Sequence, residues 1–478
     1  MSDTAIAKCP CSHCGLHLEF PIEAAGAQID CPGCGRPTEL VAAAAEEPAP
    51  PAALTIGDVV SAFSASVPRT RTSFFYQVGL LIVALTMVTL PLIYLAMIGV
   101  AVWGVYAWAI AFWPWLGSVR GGARLYVLKL VFYLGPLFAG VVLVFFMIKP
   151  LFAKRAPRAQ PLALNPAAEP LLFAFIEQLC RTVGAPRPMR IDIDCQLNAA
   201  AGLRHGPWSL FGQDLVLTLG LPLVAGLSLR QFAGVMAHEF GHFTQGFGMR
   251  LSYLIRNVNA WFARVVFERD AWDVILAEWA ETQEWQLAII VGLARLGVWF
   301  SRLLLHLLML VGHGIGCFLL RQMEYDADTY EIRVAGSASF EATVRRMHVL
   351  ASVLGPAYKD MRASWNINHH LPESVPAYLL LHDAKLSMAK RTQLEDTLGL
   401  QPTQLLHTHP SNGDRIRRAR QANDPGVFQL DGPATALFSN FDVVAKQVTL
   451  LHYTDDLGLP QPMIKLMPVA PSPTAASG

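Results

Sequence analysis

The chain has 478 residues, of which 53% are hydrophobic and 15% are charged, and its formal net charge is +1. This composition is too apolar for an ordinary soluble domain and favours an integral membrane protein. A net charge so close to neutral excludes the broadly basic surface that nucleic-acid binding requires, so no nucleic-acid partner is expected.

Four cysteines near the N-terminus have the spacing of zinc-ribbon ligands. Cys11 and Cys14 form one C-x-x-C pair, and Cys31 and Cys34 form a second. The glycine after each pair suits a tight turn that directs four thiolates at one ion. Two disulfides in an exported domain are the alternative. We expect residues 1–40 to form a ribbon with one structural zinc ion and to contact a protein partner.

Two long uncharged runs follow an alanine/proline-rich stretch, which we interpret as a linker at residues 41–68. The runs lie within residues 69–150, and each is long enough for a bilayer that needs about twenty residues. One crossing per run places six flanking basic residues on the N-terminal side and three on the other. The positive-inside rule therefore favours two spans, about 77–100 and 130–148, with the rest of the chain in the cytoplasm.

An HExxH pentad lies on a predicted helix further along the chain. Ser228 and Gln231 form a capping box that begins this helix, and apolar residues follow at helical spacing. His238 and His242, four residues apart, face one side and can bind a single ion. Glu239 then lies beside the remaining coordination position, where it can act as a base. Chance occurrence of the pentad is the alternative, so the surrounding sequence has to support it.

The best third ligand is Glu324, since a catalytic zinc site usually has three protein ligands. It begins a Glu-x-x-x-Asp arrangement whose two carboxylates share one helical face. Asp328 would accept a proton from a ligand imidazole and fix its orientation. A solvated acidic helix face is the alternative.

An apolar stretch at residues 287–320 separates the pentad from Glu324. Both metal-binding helices must meet at one ion, so this stretch has to leave the site and return to it on the same side of the bilayer. Arg295 and Arg302 interrupt it and make a pair of spans unfavourable. We expect an interfacial helical hairpin, or one buried against the first two helices.

In the order and spacing of these motifs, the chain resembles the integral-membrane zinc metallopeptidases of the HtpX and CAAX prenyl protease family. The likeness spans residues 190–420. It is carried by the pentad, by the acidic pair, by an Asn-Ala-Ala-Ala segment at residues 198–201, and by a His-Pro pair at residues 409–410 with an arginine six residues after the histidine.

The resemblance implies a role for each of these positions. His238, His242 and Glu324 would bind the catalytic zinc, and Glu239 would be the general base. Asn198 and Ala199 would belong to an edge strand that pairs with extended substrate. His409 and Arg415 would stabilise the transition state. From the residues alone, the His-Pro pair is equally an ordinary turn, the arginine equally part of a solvated helix, and Asn198 equally the end of a strand.

Taken together, the sequence predicts an α+β, mostly helical peptidase domain at residues 151–460, with a small edge-strand sheet and a flexible tail at residues 461–478. The expected activity is zinc-dependent endoproteolysis of membrane-associated polypeptides at a bacterial inner membrane. A non-catalytic membrane adaptor with a structural metal site is the main alternative. Prenyl-peptide processing is less favoured, because two spans are too few to enclose a prenyl group.

Overall fold

The computed structural model describes residues 6–14, 16–21, 24–40, 54–69, 74–118, 122–152, 161–203, 214–244, 247–268, 285–399, 403, 407 and 409–469. The chain divides into two compact units, Met1–Leu54 and Thr55–Gly478. The predicted α+β, mostly helical fold is confirmed.

The N-terminal unit consists of two β-hairpins. Its strands are β1 (Ile6–Pro10), β2 (His17–Pro21), β3 (Gln28–Asp30) and β4 (Pro37–Glu39). The strands pair antiparallel, β1 with β2 and β3 with β4. A C-x-x-C pair follows the first strand of each hairpin, so both turns carry cysteines. Leu18, Phe20 and Leu40 pack around these cysteines as a small core.

The second half of the predicted linker differs from the expectation. Residues 41–53 lie outside the described part of the chain, but helix α1 (Ile56–Ser61) and the residues after it belong to the larger unit. The Phe63 ring lies 4.7 Å from that of Phe428, and the Val67 N–H donates to the carbonyl of Thr182. Val67 is buried. Apolar side chains in this stretch therefore pack on the core of the larger unit. The alanine/proline-rich composition of residues 41–68 as a whole had predicted a linker instead.

Three helices among the described residues are long and apolar enough to cross a membrane, whereas two were expected. These are α2 (Phe74–Gly117), α3 (Ala123–Ile148) with a 3₁₀ turn after it, and the long helix α8 (Trp285–Ala335). At 1.5 Å per residue, α2 is about 66 Å long, roughly twice the hydrocarbon thickness of a bilayer. The aromatic stretch after residue 100 continues this same helix and packs on α3, where the Trp108 indole donates to the Tyr133 carbonyl.

The predicted hairpin within residues 287–320 is not formed, because α8 is one continuous helix. Its antiparallel neighbour is α7 (Phe247–Phe267), as shown by contacts of Asn259 with Gly316 and of Phe267 with His306. The chain thus leaves the site along α7 and returns along α8. The alternative expectation, a hairpin buried against the first two helices, is therefore wrong about the hairpin, but α8 does pack on α2, where Ser301 hydrogen bonds to Tyr94 at 2.8 Å.

The remainder of the larger unit contains a four-stranded sheet flanked by helices. The sheet order is β5 (Leu162–Ala163), β6 (Arg190–Asp194), β8 (Leu215–Gly220) and β7 (Ala199–Leu203). Strands β6 and β8 are parallel, and β7 is antiparallel to β8 at the edge. The helices are α4 (Pro170–Val183), α5 (Leu221–Gly226), α6 (Leu229–Gly241), α9 (Ser337–Asn368), α10 (Val375–Ala384), α11 (Met388–Leu398), α12 (Asn412–Ala422) and α13 (Phe441–Leu451).

The predicted flexible tail is partly ordered. Residues 470–478 lie outside the described part, but strand β10 (Lys465–Met467) pairs in parallel with β9 (His370–Pro372). The Glu373 N–H also donates to the carbonyl of Met467. A short Lys-Leu-Met segment gives little sequence signal for a strand, because its pairing partner lies almost a hundred residues earlier.

Candidate metal centre

Helix α6 carries the HExxH pentad, and its N-terminus is fixed by the predicted capping box. The Ser228 hydroxyl accepts from the Gln231 N–H at 3.3 Å, and the Gln231 side chain accepts from the Ser228 N–H at 3.0 Å. These two bonds satisfy backbone donors that the first turn leaves unpaired. The local sequence alone therefore determines where this helix begins.

Helices α6 and α8 approach each other closely at two glycines, one on each side of His238. A Cβ atom on Gly234 would lie 2.9 Å from the Cβ of Ala335, and one on Gly241 would lie 2.9 Å from the Tyr330 ring. Neither position has room for a side chain. This close packing brings the histidines of α6 next to Glu324 of α8.

His238, His242 and Glu324 converge in the structure. The Nε2 atom of His238 lies 3.6 Å from Oε2 of Glu324, and the Nε2 atom of His242 lies 3.8 Å from Oε1. Tetrahedral zinc with bonds of about 2.0–2.1 Å separates its ligand atoms by roughly 3.3–3.5 Å. The observed separations and the nitrogen/oxygen donor set therefore fit one such ion after a small contraction.

Behind His238, away from Glu324, lies a buried group of charged side chains. Asp328 places Oδ1 3.1 Å from Nδ1 of His238, and Glu331 places Oε2 3.6 Å from the same nitrogen. His238, Asp328 and Glu331 also lie close enough together to hold an ion. Arg415, however, donates two hydrogen bonds to Asp328, of 2.9 and 2.6 Å. Its guanidinium supplies the positive charge here, which disfavours a second cation.

Arg415 contacts the carboxylate beside His238, whereas the resemblance implied that Arg415 and His409 would both stabilise the transition state. Its side chain donates two hydrogen bonds to Asp328, and its guanidinium lies over the Phe340 ring. The Asp328 carboxylate raises the pKa of Arg415 despite burial. Arg415 therefore supports the carboxylate that contacts His238. His409 lies on the other side, with Nδ1 3.1 Å from Oε2 of Glu324 and a side chain that is 72% exposed.

Glu239 lies between the histidines and the edge of the sheet. Its Oε2 atom accepts from the Ala201 N–H at 3.4 Å. Burial raises the pKa of Glu239, although the nearby charge of His238 opposes the shift. Burial likewise lowers the pKa of His242, to about 3, which favours the neutral imidazole that a metal requires. For His238, the carboxylates of Asp328 and Glu324 outweigh burial and raise the pKa to about 10.

Strand β7 is the edge strand on which Asn198 and Ala199 were expected. The Gly220 N–H donates to the carbonyl of Asn198, just before the strand begins. In an antiparallel ladder in this register, alternate residues from Ala199 to Leu203 direct their N–H and C=O groups away from β8. Asn198 and Ala199 also line a cavity of about 560 Å³ between the sheet and the end of α13.

One residue of the site was missed by the sequence analysis. Arg256, on α7, places NH2 3.1 Å from Oε1 of Glu324, and its side chain is 47% exposed. Arginines at residues 250, 256 and 264 of α7 have no distinguishing motif. The antiparallel packing of α7 on α8 is what brings Arg256 to the centre.

A family model for Peptidase family M48 matches residues 174–423, more than half of the chain. The chain belongs to peptidase family M48. The matched residues include strand β7 and the helices α6, α7, α8 and α12, so the chain is a metallopeptidase by family. Comparisons with curated proteins and with solved structures gave no match.

The N-terminal unit contains a second centre, formed by Cys11, Cys14, Cys31 and Cys34. The Sγ atoms of Cys11 and Cys34 lie 3.8 Å apart, and those of Cys14 and Cys31 lie 3.6 Å apart. Zinc–sulfur bonds of about 2.3 Å in a tetrahedron separate sulfur atoms by roughly 3.8 Å. Hydrogen bonds from Thr38 and from the His13 N–H lower the pKa of Cys11 to about 5, which favours a thiolate.

Proposed function

We propose that this M48 peptidase is a membrane-bound, zinc-dependent endopeptidase. His238, His242 and Glu324 would hold the zinc ion, which when bound polarises a scissile carbonyl and acidifies a water molecule. Glu239 carries the proposal, because it follows the proposed ligand His238 directly in the chain and its Oε2 atom accepts from the Ala201 N–H of the edge strand. Burial raises the pKa of Glu239 above that of an ordinary carboxyl group, which is the direction that suits a general base.

Each protein group has a defined part in the reaction. An extended polypeptide adds to the free edge of β7, so that its backbone pairs with outward-facing groups from Ala199 to Leu203. Glu239 accepts the proton of the attacking water and passes it to the leaving amine as the C–N bond breaks. Asp328 lies 3.1 Å from Nδ1 of His238 and would fix the orientation of that ring, and Arg415 holds the Asp328 carboxylate in place.

The proposal also includes a location at the membrane and a partner-binding role for the ribbon. Three apolar helices support attachment to a bilayer, and the basic flanks of the first two favour a cytoplasmic peptidase domain at a bacterial inner membrane. The four thiolates would bind a second, structural zinc ion and display the ribbon to a protein partner. Substrates would be membrane-associated polypeptides, and the physiological role would be quality control or processing of membrane proteins.

The Glu239→Gln variant tests this function. The substitution keeps the shape of the side chain but removes the base, so casein cleavage by the detergent-solubilised protein should fall by about 10²–10⁴-fold. Zinc content, measured by atomic absorption, should remain at two ions per chain. Undiminished cleavage would contradict the mechanism. A non-catalytic adaptor would show no cleavage by either protein.

A further inference from the structure

The two oxygens of Glu324 are each contacted by a solvent-accessible donor. Arg256 approaches Oε1 at 3.1 Å from α7, and His409 approaches Oε2 at 3.1 Å from the loop before α12. Their side chains are 47% and 72% exposed, whereas that of Glu324 is 7% exposed. The metal-binding carboxylate therefore lies between two donors that reach it from the accessible side of the centre.

Arg415 is not placed to donate a hydrogen bond on the accessible side of Glu324. Its side chain is only 21% exposed, and it donates to Asp328 behind His238. If two donors stabilise charge on the substrate side of the metal, the geometry favours Arg256 and His409. Arg256 belongs to α7, the next helix in the chain after the helix that carries the pentad.

We propose that Arg256 donates a hydrogen bond to the scissile carbonyl oxygen of the substrate, together with His409. This inference rests on the proposed peptidase function and adds a catalytic residue to it. Water attacks the carbonyl carbon, and the carbonyl π electrons move to the oxygen, which becomes anionic. When the C–N bond breaks, these electrons return to the carbonyl. Arg256 keeps its proton throughout, since arginine remains charged in proteins.

The position of Arg256 suits this role for a physical reason. Glu324 would hold the zinc ion, and a substrate oxygen bound at the same centre would lie next to the Glu324 oxygens. A guanidinium has five N–H groups, so it can contact Glu324 through one and a substrate oxygen through another. Its neighbour Ile255 is buried in the helical bundle, which anchors this turn of α7 while the guanidinium extends outward.

A structural role predicts a different outcome from a catalytic one. If Arg256 only compensates the charge of Glu324, its removal changes zinc affinity and leaves the fully loaded enzyme unaffected. If it stabilises the oxyanion, its removal lowers kcat at constant zinc content. In the catalytic case, removal of Arg256 should also weaken the binding of an anionic mimic of the tetrahedral intermediate.

The experiment compares Arg256→Gln and Arg256→Lys with the control Arg418→Gln in the full-length zinc-loaded protein. Arg418 lies near the site but stacks on Tyr325. Casein cleavage gives kcat and KM, and a peptide phosphonamidate serves as the intermediate mimic. We expect Arg256→Gln to lose about 10²–10³-fold in kcat, with KM within about threefold, and to bind the phosphonamidate correspondingly more weakly. Arg256→Lys should recover part of kcat and part of the phosphonamidate affinity.

Casein binding is measured separately in the Glu239→Gln background, where no turnover occurs. It should be the same with and without Arg256, and Arg418→Gln should match the wild type in every assay. Unchanged kcat in zinc-loaded Arg256→Gln, or a loss explained entirely by lower zinc content, would overturn the inference. If the wild type itself neither cleaves casein nor binds the phosphonamidate, the proposed function fails instead.

Discussion

The two candidate metal centres of this chain are built in opposite ways. The cysteine centre takes its four ligands from two short hairpins within residues 11–34. The histidine/glutamate centre takes its three ligands from two helices, and it forms only because α6 and α8 pack tightly at Gly234 and Gly241. One centre is local in sequence, and the other depends on the tertiary fold.

Their surroundings differ as much as their construction. Four thiolates complete a tetrahedral shell, so the cysteine centre has no position for a reacting water. The other centre has three ligands, a buried base on one side and exposed donors at Glu324. Under the proposed function, the first centre stabilises the ribbon and the second performs the chemistry, so each of the following substitutions should affect one centre only.

The largest structural effect is expected for Cys31→Ser. The N-terminal unit has a core of only a few apolar side chains, so loss of one ligand should release its zinc and unfold the whole unit. Zinc content should fall from two ions to one, while casein cleavage stays within about twofold. Cys9→Ser is the matched control, since Cys9 is buried but is not one of the four ligands. Loss of cleavage in Cys31→Ser would show that the two centres are coupled.

A smaller effect, confined to the histidine/glutamate centre, is expected for Asp328→Asn. The amide still fits the space but no longer pairs its charge with Arg415 or holds His238 as firmly. Loss of such a supporting carboxylate typically costs 10–100-fold in metal affinity or activity. Titration with a zinc chelator would measure the metal affinity, and steady-state cleavage would measure the activity. Asp360→Asn, at an exposed position on α9, is the control. Equal zinc affinity and equal cleavage in the two variants would show that Asp328 does not support the centre.

The smallest effect is expected for Gly234→Ala. The added methyl group would lie 2.9 Å from the Ala335 Cβ, so the two helices must separate slightly. The overpacking should cost about 1–3 kcal/mol, partly offset by the better helix propensity of alanine. Zinc affinity at the histidine/glutamate centre should weaken several-fold, and that of the ribbon should not change. The control is Gly292→Ala on α8, where the new methyl group meets no other segment within 4 Å, and zinc affinity should not change there.

The sequence predicted what short-range rules determine. The capping box begins α6 as expected, and the cysteine pairs fall in two hairpin turns. An Asn-Ala-Ala-Ala segment at residues 198–201 did lie at a sheet edge, although the sequence alone did not show that its Ala201 N–H contacts Glu239.

Errors arose where tertiary packing decides the structure. Arginines at 295 and 302 suggested a break in the apolar stretch, but α8 continues through both, and Arg302 donates to the carbonyl of Glu268 at the end of α7. The same antiparallel packing of α7 on α8 brings Arg256 to Glu324. Spacing rules carry no information about such contacts between distant segments.

The most direct test of this account is a zinc-edge anomalous diffraction map of the full-length protein. We expect two peaks, one among the four cysteine sulfurs and one bounded by Nε2 of His238, Nε2 of His242 and the Glu324 carboxylate. A second peak that lies instead between Nδ1 of His238, Asp328 and Glu331, or no peak near α6, would contradict it.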